Sequence, residues 1–136
     1  MLLWAVAVLC QAFLFGAILF FSAIVAPAIF SGLPPETAGA FVRRLFPRYY
    51  LSLAVAGLIG GIAALPFDGW SALALLLVAA GAIYARQVLV PAANRARDEE
   101  QRGVPAAGVR FKRFHRLSLG LNLAQFLIVV VVLLAF

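Results

Sequence analysis

His115, Ser118, Asn122 and Gln125 follow one another at steps of three, four and three residues along the last apolar stretch of the chain. On an α-helix these steps bring all four side chains within roughly 80° of arc. A polar stripe of this kind either bonds neighbouring helices together or lines a small polar site, because its groups are costly to leave in lipid. Other polar residues are spaced to approach the same side. These are Arg48 and Tyr49 entering the second apolar stretch, Tyr84 and Gln87 late in the third, and Asn94 just past Pro91. Together they form the candidate ligand-binding set. Bonding between helices is the simpler use for them.

The remaining chemistry is sparse. One His, one Cys and one Met are too few for a typical zinc or copper shell, so no metal and no cofactor is expected. A single axial ligand for haem or a porphyrin, His115, is the alternative reading. The apolar stretches contain no Asp or Glu, whereas proton-coupled transporters normally need a membrane-buried carboxylate. Asp98 is the only Asp near His115 in sequence, and no nucleophile elbow accompanies them, so a hydrolytic triad is not supported. The expected function is non-enzymatic: binding, scaffolding or handling of a small solute at a polar, cytoplasm-facing site inside the bundle.

The elements that must position these residues are four apolar spans, at about 2–29, 49–65, 70–90 and 117–136. A hydrophobic share of 65% and a mean hydropathy of +1.07 lie outside the soluble globular range. The 136 residues therefore read as one all-α domain, a four-transmembrane-helix bundle. Span one would be roughly 40 Å long, more than the ~30 Å hydrocarbon core, and Pro27 gives it a place to bend. It lacks the charged leader region of a secretory signal and reads as an uncleaved span. Gly57, Gly60 and Gly61 in span two allow another helix to come close. Packing within the chain is the first use for that spacing, and a homo-oligomer the second.

The eleven Lys and Arg residues all fall in two stretches, Arg43 to Arg48 and Arg86 to Arg116, while the break at Pro66–Gly69 carries only Asp68. By the positive-inside rule both Arg-rich loops face the cytoplasm and both termini lie outside, in the inner membrane of a cell. Cations flanking spans touch anionic lipid head groups far more often than nucleic acid, which is not an expected partner. In the first loop Pro34-Pro35-Glu36 reads as a helix start. Ala38, Phe41, Val42, Leu45 and Tyr49 then recur at helical spacing. This predicts a short amphipathic cytoplasmic helix, with Arg43 and Arg44 facing lipid head groups and Pro47 separating it from span two. In the second loop, Arg95 to Arg102 reads as a solvated loop or a polar helix extension, followed by a break at Gly103-Val-Pro105. Phe111, Phe114 and Leu117 alternate with cations, so span four should begin as an amphipathic helix.

The same residues carry a resemblance. Pro27-Ala-Ile-Phe30, Arg44-Leu-Phe-Pro47-Arg-Tyr-Tyr50, Val90-Pro91 with Asn94 and Asp98, and Phe114-His115-Arg-Leu-Ser118 with Asn122 resemble the signature of the transmembrane-protein-205-like family. That resemblance covers about Phe15 to Val129 and implies a small four-helix membrane protein of unknown function. A more distant likeness, to copper-resistance D-type and membrane protoporphyrinogen-oxidase-type proteins, lacks the span-one His and the intramembrane Lys those chemistries would need.

Two expectations can be tested against structure and topology. Gln11 lies nine residues into span one and Gln125 eleven residues before Phe136, about 14 and 16 Å from the same bundle end. They should face the interior and bond directly or through one water. For orientation, single cysteines placed in a Cys10→Ser background should label from outside intact cells at Asp68 and not at Arg102. The reverse pattern would invert the topology.

Overall fold

The computed structural model describes residues 1–136 as four helices with no strand. They are α1 (Leu2–Gly32), α2 (Pro35–Ala64), α3 (Gly69–Gln101) and α4 (Ala107–Ala135). Each has 29 to 33 residues, or roughly 45 Å of helix, so every one outruns the ~30 Å hydrocarbon core. All four are long and apolar enough to cross a bilayer, and large side chains such as Leu9, Phe13, Ile62, Leu77 and Leu127 point outward. The chain is a multi-pass membrane protein. A lipid environment leaves backbone groups no outside partner, and here 104 of 118 backbone hydrogen bonds lie within the helices.

Two prolines are accommodated by the same device. Pro27 follows a π-helical turn at Phe21–Val25, and Pro91 follows another at Ala85–Leu89. A proline cannot donate to the carbonyl four residues back, and its ring crowds that oxygen. Here those oxygens belong to Ala23 and Gln87, inside the widened turns, where bonding shifts to residues five apart: Ala26 N–H donates to Phe21 O and Val90 N–H to Ala85 O. Where a bend was expected, at Pro27, the helix carries a π turn.

Pro47 behaves differently from expectation. The amphipathic segment exists, but it is the first part of α2 and is not a separate helix, because α2 runs unbroken through Pro47. The bias against helix before proline is local and modest, and tertiary contacts on both sides outweigh it. Ala38 is buried, Phe46 packs on Phe21 and Tyr50, and Arg86 Nε donates to Pro47 O at 3.0 Å. The Arg95–Arg102 segment resolves as the polar extension of α3, which ends at Gln101. The break after it holds Gly103 at φ +79°, a left-handed position that suits glycine.

Each helix packs on its sequence neighbours, and α4 closes the ring against α1. Small residues set the spacing. A Cβ at Gly57 would lie 2.9 Å from Leu75 O and 3.0 Å from Ala79 N, and one at Gly61 would lie 3.1 Å from Ala72 O. Gly60 faces the other way, where a Cβ would come 2.8 Å from Cys10 Cβ. The three glycines therefore serve contacts within the chain, with α3 on one side and α1 on the other. At the acidic end Asp68 caps α3, accepting from Trp70 N and Ser71 N at 3.1 Å each and from the Ser71 hydroxyl. These bonds, that of the Ser71 hydroxyl foremost, hold the Asp68 carboxyl below its ordinary pKa.

Gly57→Ala should destabilise the bundle by about 1–3 kcal/mol, because backbone atoms stand where the methyl must go. Gly16→Ala meets nothing within 4 Å and should be neutral or stabilise by up to ~1 kcal/mol. Thermal unfolding in nanodiscs compares them; equal losses would contradict the packing described.

Candidate functional site

The polar residues fall into three tiers along the bundle. At the basic end, Arg43 of α2 grips Asp98 of α3 through both guanidinium nitrogens, at 2.7 and 3.3 Å, and also donates to Asn94 O at 3.4 Å. Arg110 of α4 reaches Glu99 at 2.6 Å, while Arg97 lies 3.8 Å from Glu100 and 5.1 Å from the centre of the Phe111 ring. These contacts join the ends of α2, α3 and α4. Asp98 lies beyond the third apolar span, and the hydrogen bond from Arg43 holds its carboxyl below the ordinary range, with the charges of Arg43 and Arg102 acting in the same direction. It stays ionised at neutral pH, committed to its pair with Arg43. Exposed pairs contribute little singly, but a bidentate Arg–carboxylate pair fixes geometry well.

One tier deeper, the Tyr49 hydroxyl donates to Asn122 Oδ1 at 2.6 Å, and Asn122 Nδ2 donates to Ser22 Oγ at 2.9 Å. This short chain crosses the bundle from α2 to α4 and returns to α1. It stands where the π turn of α1 carries Ser22, with the Phe21 ring stacked on Tyr49 at 4.2 Å. Ser118 lies beside the Tyr50 hydroxyl. Each member still has a free valence, including an acceptor site on the Tyr49 oxygen and a donor on Ser22. The bonds already made tie three helices.

The deepest tier holds the two glutamines, both essentially inaccessible at 0% and 1% exposure. They face the interior as expected, and no direct hydrogen bond joins them. Gln125 Nε2 donates to Val78 O at 2.9 Å instead. Gly81 makes this approach feasible, since a Cβ there would sit 3.3 Å from that nitrogen. Both amide atoms of Gln11, and Oε1 of Gln125, have no protein partner.

Of the residues singled out from sequence, Tyr49, Ser118, Asn122 and Gln125 turn inward; others do not. His115 is exposed and stacks on Phe111 at 6.0 Å, outside the cluster. Arg48, Tyr84 and Gln87 are exposed as well; Gln87 accepts from Arg86 at 3.3 Å. Asn94 contributes its carbonyl to Arg43. Arg43, expected to face lipid head groups, pairs with Asp98 while staying exposed; Arg44 is exposed as well and pairs with no carboxylate. Ser22 and Gly81 were missed. A lone serine in an apolar run was the only signal for Ser22; nothing marked Gly81.

No nucleophile stands beside a base in any tier, and the contacts read as ties between helices of a polytopic membrane protein. The chain belongs to the family described as "Domain of unknown function (DUF4149)", whose model matches residues 9–102. The matched part carries the Arg43–Asp98 pair together with Ser22 and Tyr49, and stops before α4, which carries Asn122, the partner of those last two. Searches of curated proteins and of solved structures return no match.

Asn122→Leu breaks two interhelical bonds and strands the buried Tyr49 hydroxyl, so it should destabilise by about 1–3 kcal/mol. Gln11→Leu removes an amide with no partner and should be neutral or stabilising. A loss at Gln11 as large as that at Asn122, in nanodisc unfolding, would mean that the Gln11 amide is bonded.

Proposed function

We propose that this protein is a non-enzymatic scaffold of the inner membrane that presents a preassembled basic surface to anionic head groups of the cytoplasmic leaflet. The observation that carries the reading is how the acids of the basic end are used. Asp98, Glu99 and Glu100 are engaged by Arg43, Arg110 and Arg97. Arg44, Arg48, Lys112, Arg113 and Arg116 have no carboxylate within reach and are exposed. Asp98 and Glu99 join helices, Glu100 pairs within α3, and the surplus cations face outward. Cations beside an anionic leaflet each contribute on the order of 1 kcal/mol of attraction.

The polar cluster at Tyr49, Asn122 and Ser22 serves this scaffold by locking the helices just beneath the basic surface. On the residues of the resemblance, we place the chain with proteins like transmembrane protein 205. Tyr49, Asp98 and Asn122, among the residues of that resemblance, make ties between helices, which suits a structural signature. A haem ligand at His115 would be reached from outside the bundle, since its ring is exposed.

Discs cut directly from the membrane with a styrene–maleic acid copolymer test the reading. Wild-type discs should be enriched in anionic lipid over bulk membrane, and a Lys112→Gln, Arg113→Gln, Arg116→Gln triple variant should fall towards the bulk value. Wild-type discs of bulk composition would refute the proposal. The Asp98 tie has a pH signature as well. A carboxyl whose folded pKa is depressed contributes stability above its unfolded pKa and loses it as pH falls through the folded value. Acidification below the ordinary carboxylate range should therefore lower the melting temperature of wild type more than that of Asp98→Asn.

A further inference from the structure

Between α1 and α2, on the outer face of the bundle, runs a groove of about 500 Å³. Its floor is made of small, recessed residues, Cys10, Ser52 and Ala56, and its rims of exposed large ones, including Phe13, Val55 and Ile59. The glycine contact explains the floor: Gly60 lets α2 approach Cys10 closely, so side chains beside that contact leave a trough and not a ridge. Arg48 closes the groove at the basic end. Arg44 stands one turn further out on the same face of α2, at the i, i+4 spacing that makes neighbours on a helix.

The dimensions and the charge point to the same occupant. From Arg48 to Ile59 is eleven residues, or about 16 Å of helix, close to half of the ~30 Å hydrocarbon thickness. The groove is thus one leaflet deep, apolar for its length, and cationic at the end where that leaflet has its head groups. Neither arginine has a carboxylate partner. A second groove, between α3 and α4, is lined by eight apolar residues from Trp70 to Val132, with no cation among them. It lacks the feature that would select a head group.

We propose that the α1–α2 groove is a binding site for one anionic phospholipid, an acyl chain lying between Phe13 and Val55 and the phosphate held by Arg48 and Arg44. This rests on the preceding proposal only in placing the basic end at an anionic leaflet, and it adds a site of fixed stoichiometry. An arginine fork suits phosphate oxygens, which it can contact in pairs.

Native mass spectrometry of the detergent-purified full chain, titrated with phosphatidylglycerol or with phosphatidylethanolamine, tests it. Wild type should retain one phosphatidylglycerol in clear preference to phosphatidylethanolamine. Arg48→Gln should lower phosphatidylglycerol affinity by about fivefold, as expected for one cation at a charged head group, with phosphatidylethanolamine unchanged. Val55→Trp, which fills the trough without touching the charges, should remove the tightly held lipid, whereas Arg116→Gln should not. Equal retention of the two lipids would overturn the site, as would a Val55→Trp variant that still holds one phosphatidylglycerol. A chain that dimerises through this face, detected as a mass doubling abolished by Val55→Trp, would also overturn it. Anionic enrichment in copolymer discs without any singly retained lipid would remove the groove proposal and leave the scaffold reading standing.

Discussion

A polar group inside a lipid-embedded bundle has to find its partner within the protein, and the architecture of this chain follows from that requirement. Helices satisfy the backbone along their own length. Where proline breaks the pattern, the turn widens and bonding shifts by one residue, as at Phe21–Val25 and Ala85–Leu89. Side-chain amides and hydroxyls look to the neighbouring helices, which is how Tyr49, Asn122 and Ser22 come to share one chain of bonds. Gln11 is the exception, a buried amide with no protein partner.

Close approach of the helices makes those partners reachable. Interhelical hydrogen bonds in membranes are individually modest, so packing of small residues has to contribute much of the association. Gly57 and Gly61 bring α3 against α2, and Gly60 brings α1 against the other side. The same approach leaves the trough beside Cys10 and Ala56. Charge is kept apart from all of this. Every cation and all but one of the carboxylates sit at a single end, where Arg43 and Arg110 use Asp98 and Glu99 to join helices.

Much of the fold could be read from the sequence because hydrophobic runs report burial in lipid directly. Four runs gave four helices, although each helix extends past its apolar part, since polar residues with good partners continue a helix as readily as apolar ones do. Pro47 misled because the bias it imposes is local and the contacts of Phe46 and Arg86 that override it are not. The candidate site was less legible. A helical wheel gives the angle of His115 but not which neighbours stand at its height, and the residue proves exposed. Arg43 and Asp98 are 55 residues apart, and only the register of α2 against α3 brings them together. Tyr49 and Asn122 lie 73 apart, and the polarity of each within or beside an apolar run is the only mark the sequence gives of their bond.

The scaffold reading requires that α2 and α3 continue as ordered helix beyond the bilayer and remain joined there. Hydrogen exchange of the nanodisc-embedded protein, followed by mass spectrometry, reports on that directly, because these segments lie where water can reach them. Backbone amides in 37–46 and 92–101, helical throughout, should exchange far more slowly than an unstructured chain, with fast exchange confined to the turn around Gly103. Exchange of both segments at unstructured rates would mean that no preassembled basic surface exists, and the proposed function would fall with it.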